Sequence, residues 1–168
     1  IVGGHSSMGA ELTIGFTLTG LCERPPVTLA GAQSGDAILL TKPIGSGVIM
    51  AAEMQGRATG PVVEQCYAAM TTSQQAASGI LARAHAMTDV TGFGLAGHLA
   101  GIAEASDRAL EITLADVPLL TGAMELAEHG IASTLLPDNR AGAGPVFGAA
   151  GARGDLMFDP QTAGGLLA

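Results

Sequence analysis

The chain has no tryptophan, one tyrosine and four phenylalanines, yet 48% of its residues are apolar. Much of that content is alanine, valine and leucine, so helices can approach closely and the core is expected to be built from small aliphatic layers. Basic residues are also scarce: seven stand against fifteen acidic ones, for a formal charge of −8. They are scattered, which excludes the clustered Lys/Arg footprint that neutralises a nucleic-acid backbone. A nucleotide is not excluded, because an acidic protein binds one through magnesium and backbone amides. The two cysteines, Cys22 and Cys66, lack CxxC or Cys/His spacing, so neither a zinc site nor a disulfide framework is indicated. Two reduced, largely buried thiols are the expectation. No apolar run approaches the ~20 residues that span a bilayer, and no charged leader precedes an apolar core. A soluble cytoplasmic protein with no membrane partner is expected.

A chain of 168 residues suffices for one domain with a substantial core. It starts at Ile1 rather than methionine, and Gly164-Gly165-Leu166-Leu167-Ala168 reads as a strand just beginning, so a piece of a longer chain is expected.

Alternation of Leu12, Ile14, Phe16 and Leu18 with polar neighbours predicts a half-buried strand over Glu11 to Cys22. Pro25 and Pro26 end it, and the turn Ser34-Gly35-Asp36 leads into an apolar run, Ala37 to Thr41, suited to an interior strand. Helical spacing is predicted from Ser46 to about Gln55. A second helix follows Gly60-Pro61, its apolar stripe running through Val62, Val63, Cys66 and Met70 to Ala77, Ile80 and Leu81. A third covers Leu95 to Ala105, with Leu95, Leu99 and Ile102 on one face. Ala109 to Leu114 returns to strand, and Thr121 to Glu128 forms a short helix ended by His129-Gly130. The Gly/Ala-rich stretch from Gly142 to Gly154 carries no assignable pattern. Interleaved strands and helices indicate an α/β (α+β) domain: a mixed β-sheet packed with helices.

The most informative stretch is Thr88-Asp89-Val90-Thr91-Gly92-Phe93-Gly94-Leu95, which sets one carboxylate among hydroxyls and glycines before an apolar helical run. Asp89 can supply anionic oxygen to magnesium, which takes a few carboxylates plus phosphate oxygens and water. Gly92 and Gly94 permit close backbone approach, and the amides of the following helix favour negative charge. The same segment also reads as an ordinary N-cap, its side-chain oxygens satisfying free amides. Gly3-Gly4-His5 can present backbone amides and an imidazole donor to a phosphate, or can simply be a turn before a strand. Lys42 either steers a phosphate or ends a strand as a solvated ammonium. His98, in register with Leu95 and Ile102, reads as a packed helical histidine rather than a ligand. Asp159-Pro160 and Gly164-Gly165 read as a structural elbow.

In order and separation, Gly3-Gly4-His5, Thr41-Lys42-Pro43-Ile44-Gly45-Ser46-Gly47, the Asp89 stretch and Asp159-Pro160-Gln161-Thr162-Ala163-Gly164-Gly165-Leu166-Leu167 resemble the C-terminal part of selenophosphate synthetase (selenide, water dikinase). The likeness covers nearly the whole chain, and is closer at the motifs than that to aminoimidazole ribonucleotide synthetase, thiamine-monophosphate kinase or the hydrogenase-maturation relative of the same superfamily. It implies a partly ferredoxin-like fold and conversion of ATP, selenide and water into selenophosphate, AMP and phosphate. Asp89 then matches a magnesium-coordinating aspartate, and Gly3, Gly4 and His5 match a segment that contacts ATP across a homodimer. ATP and Mg2+ are the implied cofactors, and ATP and selenide the implied small-molecule partners. The family's reactive cysteine or selenocysteine and lysine have no counterpart here, so residues 1–168 are expected to be a single C-terminal domain, inactive alone, without its N-terminal catalytic domain. A related ATP-dependent synthetase or kinase and a non-catalytic dimerisation or regulatory domain are the alternatives. Two departures from the family pattern stand out. Met70-Thr71-Thr72 replaces an expected Met-Asn or Leu-Asn, which bears on a polar contact near the nucleotide, and Ala163 replaces a usual serine.

Overall fold

The structure, a computed structural model, describes residues 2–4, 6–11, 13–22 and 24–168. Among them are seven helices: α1 (Ser46–Met54), α2 (Gly60–Thr71), α3 (Gln75–Ile80), α4 (Gly94–Ser106), α5 (Ala123–Glu128), α6 (Leu136–Gly142) and α7 (Gly151–Leu156). The strands β1 (Thr88–Asp89) and β2 (Leu166–Leu167) pair antiparallel, with Thr88 opposite Leu167 and Asp89 opposite Leu166.

The ladder extends beyond these short strands. Residues 165–168 run between two segments, with Val90 donating to the Gly165 carbonyl at 2.8 Å on one side. On the other, Thr41 donates to Leu166 at 3.0 Å, and Leu39 and Ala168 exchange bonds of 2.8 and 3.0 Å. A parallel bridge then joins Ile44 to Leu119. The assembly is therefore mixed, with helices packed around it, as the α+β reading requires.

Helix boundaries follow local chemistry. Pro61 opens the first turn of α2, where no amide partner is lost. α4 buries Leu95, Leu99 and Ile102 at helical spacing and ends at Asp107, whose left-handed φ of 53° stops the helix. α1 buries Val48, Ile49, Ala51 and Ala52, and lies against α2 and α5. Ile44, Val90, Leu120, Ile131, Leu156, Phe158 and Leu167 complete a core with a single large aromatic ring.

Several expectations are corrected. The described residues of 11–22 form no strand, and Ile14, Phe16 and Leu18 are 68%, 87% and 91% exposed. Alternation defines a face, but a strand also needs a ladder partner, and no described segment supplies one. Residues 109–113 likewise join no ladder and lead into a 3-10 turn at 114–116. Ala37–Thr41 is laddered only toward β2, so it forms an edge rather than an interior strand, with Leu39 half-exposed. The long second helix breaks at Thr72–Gln74, leaving Ile80 exposed instead of on the stripe. Of the two cysteines, Cys66 is buried but Cys22 is exposed. α6 and most of α7, in or beside the Gly/Ala-rich stretch, were not legible.

Candidate functional site

Two glycine-containing segments far apart in sequence close on one another at the start of α1. The buried Gln161 side chain accepts, through Oε1, from the amides of Gly45 at 2.9 Å and Ser46 at 3.1 Å and from the Ser46 hydroxyl at 3.1 Å. Asp159 Oδ2 accepts from the Gly47 amide at 2.9 Å and from Gln161 Nε2 at 3.0 Å. Ser46 Oγ in turn accepts from the Thr162 amide at 2.9 Å. The leading amides of α1, which a phosphate would otherwise seek, are thus satisfied internally by a carboxylate and a carboxamide. Asp159–Gly165 is the structural elbow that the residues suggested. Gly165 is required there because a Cβ would come within 2.5 Å of the Lys42 amide nitrogen.

Asp159 has no exposed surface, and burial pushes its carboxyl up to about 6 against the opposing hydrogen bonds from Val48, Gln161 and Gly47. Its Oδ1 has no hydrogen-bond partner among the described residues, and the side chain borders a cavity of about 120 Å3 lined by Val48, Ile131 and Leu156.

Lys42 is not the solvated ammonium of the strand-end reading. It is 7% exposed, and its ammonium donates to the carbonyls of Met70 at 3.3 Å and Ala163 at 3.0 Å, fastening the end of α2 to the elbow. Burial lowers its pKa. At the Thr71-Thr72 departure, the hydroxyls donate back to the Tyr67 and Ala68 carbonyls, each at 2.8 Å, in the last turn of α2.

Asp89 stands at the end of β1, exposed, with its carboxylate free of hydrogen bonds and ion pairs among the described residues. The turn that follows is held on every side. Thr91 donates its amide to His98 Nε2 at 2.9 Å, and its carbonyl accepts from the Gln161 amide at 3.0 Å. Asn139 Nδ2 donates to the Gly92 carbonyl at 2.7 Å. Gly94, at φ 73°, packs so closely on Phe158 that a Cβ would lie 2.7 Å from its carbonyl carbon. His98 is therefore a packed histidine whose Nε2 accepts, leaving its proton on Nδ1. Burial lowers its pKa, opposed by the charge of Asp89.

The N-cap alternative for this stretch fails, because the residue at the N-cap of α4 is Phe93 and no side chain caps the helix. The expected open amides are also partly used: Gly94 donates to the Thr91 carbonyl at 3.1 Å and Ala96 to Met157 at 2.8 Å.

Gly3 and Gly4 are exposed, with open space around both, and the structure brings neither into contact with Asp89. His5 lies outside the described residues. A cleft of about 780 Å3, floored by Leu95, Leu99, Ile102 and Leu167, contains none of Asp89, Lys42, Gly3 and Gly4. Asn139 and Gln161 were missed by sequence reasoning. The only signal was Gln161's place two residues after Asp159 in a motif whose elbow role was read from its glycines.

Residues 33–138 match the family described as AIR synthase related protein, C-terminal domain, and the chain belongs to that family. Along almost its whole length it is also similar to selenide, water dikinases. The enzyme of Pelobacter propionicus is 38% identical over 174 residues, covering 99% of this chain and 50% of the relative. That of Geobacter metallireducens is 38% identical over 173 residues, with coverages of 99% and 50%. Selenide, water dikinase 2 of Peptoclostridium acidaminophilum is 36% identical over 176 residues, again covering 99% and 50%. The chain thus spans about half the length of these relatives. No helix among the described residues is long and apolar enough to cross a membrane.

Proposed function

We propose that this chain is the C-terminal, ATP- and magnesium-contacting domain of a selenophosphate synthetase, working with an N-terminal catalytic domain that its sequence does not contain. The complete enzyme converts ATP, selenide and water into selenophosphate, AMP and phosphate. The reading rests on the similarity to selenide, water dikinases over the chain's whole length, and one observation carries it to a residue: Asp89 is an exposed carboxylate, without a partner among the described residues, beside a turn held by His98, Gln161 and Asn139.

The donor set suits magnesium and not an enclosed metal. No group of three or more His, Cys, Asp or Glu side chains among the described residues could hold an ion. Mg2+ keeps several waters and is bound by one or two carboxylates plus substrate phosphates, so one exposed aspartate is an appropriate contribution. When bound, the ion supplies charge neutralisation at the triphosphate. The chain's own share is to present Asp89 at a fixed position with no cation bonded to it among the described residues: Lys42 is committed to carbonyls, and His98 Nε2 accepts the Thr91 amide. Gly3, Gly4 and His5 are proposed to contact the nucleotide from across a homodimer of the full-length protein.

The test is selenide-dependent formation of AMP by the full-length parent and its Asp89→Asn variant. The parent is expected to be active and the variant slower by about 100-fold or more, since a catalytic metal supplies several kcal/mol. A parent that makes no AMP with selenide would return the chain to a superfamily relative or a non-catalytic domain.

A further inference from the structure

We infer that Asn139 is a positioning residue for the Asp89 turn, an inference that rests on the metal role proposed for Asp89. Asn139 lies on α6, half-buried, and uses both protons of its carboxamide: Nδ2 donates to the Gly92 carbonyl at 2.7 Å and to the Phe158 carbonyl at 3.0 Å. Both partners are carbonyl oxygens, so the orientation of the amide is fixed by chemistry, because the Oδ1 end would be repelled there. One side chain thus joins a turn 47 residues earlier to a segment 19 residues later.

The joined points matter. Gly92 lies three residues beyond Asp89, and Phe158 directly precedes Asp159, which caps α1. The other bonds of the turn, from Gln161 and His98, fix the two backbone groups of Thr91. Asn139 alone among the described residues holds the Gly92 carbonyl by a side chain. Without it the Gly92–Phe93 peptide can rotate, and Asp89 loses the far anchor of its turn. The neighbouring Arg140 packs 4.2 Å over the Phe158 ring and pairs with Asp155, so α6 stays seated when Asn139 is truncated.

The test uses the full-length parent and Mn2+ binding with a non-hydrolysable ATP analogue, read from the electron spin resonance of free Mn2+, with thermal unfolding in parallel. Groups that orient a metal ligand typically affect metal affinity 10–100-fold, so Asn139→Ala is expected to weaken Mn2+ binding about tenfold. Asn139→Asp, which turns both donors into acceptors, is expected to weaken it further. Arg140→Gln is expected to lower the melting temperature with Mn2+ affinity unchanged, which separates positioning from stability. If Asn139→Ala does not fold, Asn139→Ser, which keeps one donor, is read in the same way. Wild-type Mn2+ affinity in the Asn139 variants, with Asp89→Asn weakened, overturns the inference alone. Unchanged affinity in Asp89→Asn overturns the metal reading and this inference with it.

Discussion

Replacing Asp159 by asparagine should change how the stability of this protein depends on pH. The carboxyl has no exposed surface and is pushed from 3.8 up to about 6, chiefly by burial. The native state therefore holds this proton more tightly than the unfolded chain does. The resulting stabilisation is complete below about pH 3.8 and is lost as the pH rises through about 6. A shift of roughly two units corresponds to about 3 kcal/mol in total, of which about 2 kcal/mol develops between pH 4.5 and 7.5. Asparagine is isosteric and does not titrate. Its altered bonding to Gly47 and Gln161 adds an offset common to both pH values, which cancels in the difference. Urea unfolding of both proteins at pH 4.5 and 7.5 should show Asp159→Asn gaining about 2 kcal/mol relative to the native sequence at the higher pH. An equal difference at the two pH values would mean that Asp159 keeps an ordinary pKa, and the argument from its burial would be wrong.

Lys42→Met should destabilise by about 1–3 kcal/mol, because the Met70 and Ala163 carbonyls lose their buried donor, and calorimetry should record a melting temperature several degrees lower. An unchanged melting temperature would show that water replaces the ammonium without cost. His98 should titrate below its ordinary value of 6.5 with the proton on Nδ1 in the neutral form, as read by nitrogen-15 shifts of the ring. Its depressed pKa makes the unfolded chain bind the proton first, so its contribution is present above pH 6.5 and is lost as the pH falls below that value. A midpoint at or above 6.5 would contradict the Thr91 amide as its partner.

What the sequence made legible was local. The spacing of Leu95, Leu99 and Ile102 gives α4, and the same periodicity gives α1. Burial and pairing between distant segments were not legible. The alternation over 11–22 and the β-prone residues of 109–114 each describe a face without saying whether a partner exists. Lys42, flanked by Thr41 and Pro43, reads as a surface residue until the carbonyls 28 and 121 residues away are seen to converge on it. Asn139 sits in a seven-residue helix that contains Pro137 and ends at Gly142, so neither propensity nor periodicity marks the helix or the residue's partners. Asp89 could be singled out as a candidate because the chemistry proposed for it needs only a carboxylate, small neighbours and an apolar helix to follow.

The two glycine-rich motifs, at 41–47 and 159–167, invite interpretation as phosphate-cradling loops, but their geometry assigns them another task. A helix N-terminus attracts an anion because its first amides lack partners, and at α1 that anion is internal: Asp159, with Gln161 beside it. A phosphate approaching α1 would have to displace a buried carboxylate and four hydrogen bonds to Gln161 and Ser46 oxygens. At α4 the competition is weaker, since carbonyls of Thr91 and Met157 take two amides but no charged group caps the helix. The negative charge left facing solvent there is Asp89. A triphosphate can meet that carboxylate only through a cation, because two anions repel at close range. The elbow thus bears on the proposed site indirectly: by closing α1 it fixes Phe158 and Gln161, the surfaces against which the Asp89 turn is held.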